Sequence, residues 1–140
     1  MTYMFRVDGN PHGKDRPRYT VINGHPSAYS TAATRDYEAK VKAACRKVAT
    51  SPINSDTPVS VTVEAVFAIP KSYGKRKSQA LYGRPYAHKP DADNCIKSVL
   101  DGANGVDYED DAQVTTIRAY KRYILSDEQP HVDVFISPIT

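Results

Sequence analysis

Lys89-Pro90-Asp91-Ala92-Asp93-Asn94-Cys95-Ile96-Lys97-Ser98-Val99-Leu100-Asp101-Gly102-Ala103-Asn104-Gly105-Val106-Asp107-Tyr108-Glu109-Asp110-Asp111 is the stretch on which the reading of this chain turns. Ile96, Val99, Leu100 and Ala103 recur at helical spacing, so a helix over about 94–104 is predicted with that stripe buried. Gly105 offers a C-terminal stop, and Asp93 is expected as the N-cap. The opposite side carries Asp93, Lys97 and Asp101, each one turn above the last. Pro90 biases Lys89 toward extended backbone, so the approach to the helix reads as strand-like. Residues two apart in extended backbone point the same way, which predicts that the carboxylates of Asp91 and Asp93 converge. Beyond the acidic turn, Ala112 to about Tyr123 reads as a strand, with poor alternation.

Seven of the chain's 16 acidic residues lie between Asp91 and Asp111, where Lys97 is the only base. Elsewhere 18 Lys and Arg face nine Asp and Glu, so the net charge of +3 conceals a basic body around an acidic pocket. That layout suits a polyanion whose phosphates also meet a metal. Carboxylates held close repel one another unless they are neutralised, and hard cations such as magnesium choose oxygen ligands. Asp91, Asp93 and one of Asp110 or Asp111 are candidate ligands, leaving positions for water and phosphate. Lys97 reads either as an ordinary ion pair with Asp93 or as a cation aimed at a phosphate, and its place among the acids favours the second. Asp101 is left open as a ligand, a partner of Lys97 or a surface residue. Asp107 and Glu109 read as turn residues.

Working outward, Tyr3, Phe5 and Val7 alternate in a first strand that Asp8-Gly9-Asn10-Pro11 breaks. Asn23-Gly24 predicts a small hairpin over 18–29. A helix from Thr31 or Thr34 to about Thr50 is expected to be capped by Thr34 and to bury Tyr37, Val41, Ala44 and Val48. Val59, Val61, Val63, Ala65 and Phe67 alternate in the clearest strand. Residues 71–89 read as a basic, flexible loop, with room for a short helical turn near Lys75–Tyr82. Its Lys75, Arg76, Lys77 and Lys89, with Tyr73, Tyr82 and Tyr86, are either solvated or in contact with DNA. A last strand covers His131 to Ser137, and the final two strands are expected to pair antiparallel. The expected class is α+β: one domain over 1–140, one mixed sheet with two helices on one face, in the order β-α-β-α-β-β.

No apolar run approaches the roughly 18–20 residues needed to cross a bilayer, and the N-terminus lacks the regions of a signal peptide. Cys45 and Cys95 read as reduced core thiols, which fits a cytoplasmic protein. No Walker motif, dinucleotide fingerprint or nucleophile elbow appears, so no organic cofactor is expected. An EF-hand fails on spacing, since its glycine position falls on Ile96 or Ala112. His12, His25, His88 and His131 show no paired metal spacing.

Lys-Pro-Asp91-Ala-Asp93-Asn94, Lys97, Asp101 and Asp110-Asp111-Ala-Gln113-Val114 together resemble the RusA family of Holliday junction resolvases, in particular those carried by phages and prophages. Gly13-Lys14-Asp15-Arg16-Pro17-Arg18 and the segment Tyr29 to Tyr37 add weaker support. The resemblance implies a magnesium-dependent endonuclease, with Mn2+ as an alternative ion, that acts as a homodimer on four-way DNA junctions in recombination and repair. It places the essential carboxylates on Asp91, Asp93 and Asp111, with Asp110 as the alternative, and the essential lysine on Lys97. Lys14, Arg16 and Arg18, with the 71–89 loop, are expected to hold phosphates. Two other readings compete: a non-catalytic DNA-binding module with a structural ion, and a nuclease for other branched nucleic acid.

Overall fold

The computed structural model describes residues 2–140. Its elements are β1 (Tyr3–Asp8), β2 (Arg18–Ile22), β3 (His25–Tyr29), α1 (Ala32–Val48), β4 (Val59–Phe67), α2 (Lys75–Leu81), α3 (Ala92–Ala103), a 3-10 turn (Asp111–Gln113), β5 (Val114–Tyr123) and β6 (His131–Pro138). The protein is α+β, with three helices and a mixed sheet. The order differs from the expected β-α-β-α-β-β by the β2–β3 hairpin and by α2.

Four strands form the main sheet in the order β1-β6-β4-β5. β4 pairs parallel with β5 and antiparallel with β6. The last two strands therefore do not pair with each other, against expectation. The two strands run in opposite directions, but β4, buried along its whole inner face, takes the place between them. A parallel pair needs a long crossover, and the β4–β5 connection supplies it with α2 and α3.

Alternation decides which face is covered. Val7, Val63, Val134 and Ile136 are essentially inaccessible, whereas Met4 is 61% exposed on the other face. The inner face meets α1 through Tyr37, Val41 and Cys45, and α3 through Cys95, Ile96, Val99 and Ala103. The expected α1 stripe shifts as a result. Thr31, not Thr34, is the N-cap, Cys45 takes a core place, and Val48 is 39% exposed. Thr34 is instead buried in the first turn.

Residues 71–89, expected as a flexible loop, carry α2 and then join the edge of β5. The Tyr86 N–H donates to the Lys121 carbonyl at 3.0 Å, and the Tyr123 N–H donates to the Arg84 carbonyl at 2.9 Å. Tyr86 stacks on Phe67, with centroids 3.9 Å apart, so this ring is committed to packing.

Candidate active site

α3 begins two residues earlier than its sequence predicts. Asp91 holds the N-cap position and Asp93 sits inside the first turn. The extended geometry that was to align these two carboxylates is therefore absent. Both oxygens of Asp91 accept from Lys89 Nζ, at 2.9 and 3.0 Å. Asp93, Lys97 and Asp101 form a column along α3, as expected, and the ends of that column stand about 12 Å apart along the axis.

One open hollow of about 380 Å3 is lined by Asp93, Lys97, Asp101 and Asp111, with Ile96, Leu100 and Ile117 as its apolar wall. Asp91 and Asp110 do not line it. Burial pushes the Asp111 carboxyl above the ordinary range, and the negative charge of Asp101 adds to the effect. A cation relieves crowding of this kind, and every carboxylate donor is an oxygen, as a hard ion prefers. As placed, no three His, Cys, Asp or Glu side chains among the described residues converge at ligand distance. The donor set fits a magnesium-like ion in chemistry, and gripping one requires side-chain rotation.

The acidic end of this hollow has a base of its own. Lys14 Nζ bonds Asp101 Oδ2 and lies 3.4 Å from Glu38 Oε1. Burial works against the charge on Lys14, but the hydrogen bond and charge of Asp101, with Glu38, outweigh it and hold the ammonium above the usual lysine range. The loop that delivers Lys14 is clamped on both sides. Its N–H donates to the Asn94 carbonyl at 3.0 Å. A Cβ at Gly13 would stand 2.5 Å from the Pro90 Cβ, and Ser98 Oγ donates to the His12 carbonyl at 2.8 Å.

Lys97 is exposed and, among the described residues, has no ion pair. It also lines a second hollow with Lys14, Asp15, Arg16, Pro17 and Asn94. Asp15 and Arg16 continue into a third, where Arg18, Tyr29 and Arg35 join them. A basic trough thus leads away from the acidic hollow, with Lys97 at the border.

A family description, Endodeoxyribonuclease RusA, matches residues 8–137 of this chain. The chain belongs to the RusA endodeoxyribonuclease family. A second similarity is to a protein of Bacillus subtilis (strain 168) that bears only the name uncharacterized protein YqaN. The two are 33% identical over 141 residues, which cover 97% of this chain and 96% of that protein.

Two supports of the candidate site escape the sequence reading. Gln113 is buried behind the Asp110-Asp111 corner. Its Oε1 accepts from the N–H groups of Glu109 and Asp110, at 2.8 and 2.9 Å, and its Nε2 reaches the carbonyls of Ile53, Asn54 and Thr57. Lys121 Nζ donates to the carbonyls of His88 and Pro90, at 2.7 and 2.8 Å, and so fixes the turn that presents Asp91. The only signals in the sequence were the Asp-Asp-Ala-Gln spacing and a lysine in a strand of poor alternation. Lys75, Arg76 and Lys77 stand on exposed α2 and do not line the trough, and Lys77 caps the Tyr73 ring at 3.7 Å.

Proposed function

We propose that this chain is a magnesium-dependent endodeoxyribonuclease that resolves four-way DNA junctions by paired symmetric nicks. The reading is carried by one juxtaposition. An acidic hollow and a basic trough share Lys97, so a phosphodiester lying in the trough brings its phosphorus to the acids. In the reaction, water adds to phosphorus and one P–O ester bond breaks. Asp93 and Asp111 would hold the ion, and Asp91, once released from Lys89, would be the third carboxylate. A bound magnesium ion supplies Lewis-acid polarisation of the phosphate and lowers the pKa of the attacking water. Lys97 meets the charge that grows on the phosphate oxygens. Arg16 and Arg18 hold the backbone on either side. Two sites related by a dyad match the two like strands of a junction, so the working unit is a homodimer.

The test is a synthetic four-way junction incubated with protein, with and without magnesium, beside flaps, hairpins and linear duplex. Paired nicks in the junction alone, only with the ion, are expected. Asp93→Asn should bind the junction and fail to cut it. Binding by the parent without any nicking would favour the non-catalytic module, and equal cutting of flaps would favour a broader branched-DNA nuclease.

A further inference from the structure

The lysines around the acidic hollow are not equivalent. The side chain of Lys89 is 84% exposed and that of Lys14 only 19%. The Lys14 ammonium lies between carboxylates from two different helices, bonded to Asp101 Oδ2 on α3 and 3.4 Å from Glu38 Oε1 on α1. That oxygen of Glu38 is shut off from solvent and has no other partner among the described residues. Lys14 is thus the charge on which both acids depend.

The place of this ammonium is fixed by its backbone. The Lys14 N–H donates to the Asn94 carbonyl at 3.0 Å, and the His12 carbonyl accepts from Ser98 Oγ at 2.8 Å. Gly13 between them packs on Pro90 with no room for a Cβ. On the other side the Asp15 N–H donates to Thr34 Oγ1 of α1, at 3.2 Å. The segment is therefore tied to both helices, and most closely to the one that carries Asp93, Lys97 and Asp101.

Asp101 lines the same hollow as Asp93 and Asp111. Its carboxylate is of the same chemistry as theirs, and a hard cation would accept it as a ligand. What separates it from them is the ammonium it already holds. A cation in the place of that ammonium would meet two carboxylates, Asp101 and Glu38, without any other residue.

We infer that Lys14 is a positioning residue that stands where a second cation would otherwise bind, withholding Asp101 and Glu38 so that the hollow takes one divalent ion on its remaining carboxylates. The inference rests on the metal-dependent reading above. It makes Asp101 part of the fixed framework of the site and not a ligand, and it gives the loop before β2 a task at the reaction centre that is separate from holding phosphates.

The experiment counts ions on the full chain without DNA. Mn2+ is titrated, and the free ion is read from its electron paramagnetic resonance signal. The parent should bind one Mn2+ per chain, and Asp101→Asn should still bind one. Lys14→Met, neutral and close in shape, should bind two, and adding Asp101→Asn to it should return the count to one. Mn2+ should also raise the melting temperature of Lys14→Met by more than it raises the parent's, since a bound ion stabilises only the state that binds it. A lost structural contact alone would change neither the count nor this response. A folded Lys14→Met that binds one ion would overturn the inference and leave the nuclease reading standing. So would an Asp101→Asn protein that binds none, a result that stands even where Lys14→Met does not fold. A parent that binds no Mn2+ and leaves the junction uncut in magnesium overturns both.

Discussion

Gly102 of α3 lies hard against Val41 of α1: a Cβ added there would stand 2.6 Å from the Val41 Cβ and 3.0 Å from the Glu38 carbonyl oxygen. This close crossing explains the electrostatics of the hollow. With the two helices in contact, Glu38 on α1 and Asp101 on α3 share the Lys14 ammonium. The acidic hollow is therefore assembled by a packing contact as much as by a motif.

Gly102→Ala should force the helices apart. Overpacking costs about 1–3 kcal/mol, against a gain of up to about 1 kcal/mol in helix propensity. A net loss of stability is expected in thermal melts, together with slower single-turnover cleavage and unchanged junction affinity. A higher melting temperature would show that α1 and α3 can separate without strain.

Lys14 reads from the sequence as a phosphate contact, but its ammonium is turned inward between two carboxylates. Each phosphate contact adds about 0.9 to the slope of log K against log salt. Arg16→Ala and Arg18→Ala should each lower that slope by about one, and Lys14→Met should leave it unchanged. Lys14→Met should instead lower stability at neutral pH, because Asp101 and Glu38 lose their shared counter-charge. Relief of that loss by adding Asp101→Asn would locate the effect. A slope lowered by Lys14→Met would return this residue to the DNA surface.

Why the sequence did not reveal the ion pairs of Lys14 is a matter of distance along the chain. Its partners Asp101 and Glu38 lie on different helices, and no local pattern joins them. The same holds for β4 as the strand between β5 and β6: alternation marks each strand but does not say which neighbour it takes. β1, β4 and α3 are legible because each buries a single face, which leaves a period in the residue types. β5 was hard to read because it lies at the sheet edge, with Ile117 exposed to 49% beside the acids and Tyr120 to 55%. The start of α3 slipped by two residues because Asp91 and Asp93 are both good caps, and only the backbone distinguishes them. The acidic motif itself was legible because its members are close in sequence. The charge that balances them was not.

Gln113 tests how far the Asp110-Asp111 corner depends on its support. Gln113→Glu keeps the shape but replaces a donor to three carbonyls with an acceptor. Buried carbonyls left without a partner cost about 1–3 kcal/mol, and a buried carboxylate facing them adds to that. A fall of several degrees in melting temperature at pH 8 is expected, easing at acidic pH as the new carboxyl protonates. Cleavage should fall further than stability explains, because Asp111 loses its fixed position. Parental stability at pH 8 would mean that the side-chain amide carries none of the corner.

Asp107 gives the fold a defined pH response. The residue is inaccessible, and neither carboxylate oxygen has a hydrogen-bond partner among the described residues. Burial pushes its carboxyl up to about 6, and the neighbouring Cys45 thiol offers only partial relief. A carboxyl raised in the folded state favours the protonated form, so the unfolded chain binds fewer protons than the fold between about pH 4 and pH 6. Stability therefore falls as pH rises through that window, and the full penalty remains at neutral pH. Asp107→Asn removes the charge, so its melting temperature should exceed the parent's at pH 7.5. The advantage should shrink through that window and vanish only below about pH 4, where the carboxyl is protonated in the unfolded chain as well. Melts of both proteins across this range decide the matter: a variant less stable than the parent at pH 7.5 would mean that the charged form is held by the fold.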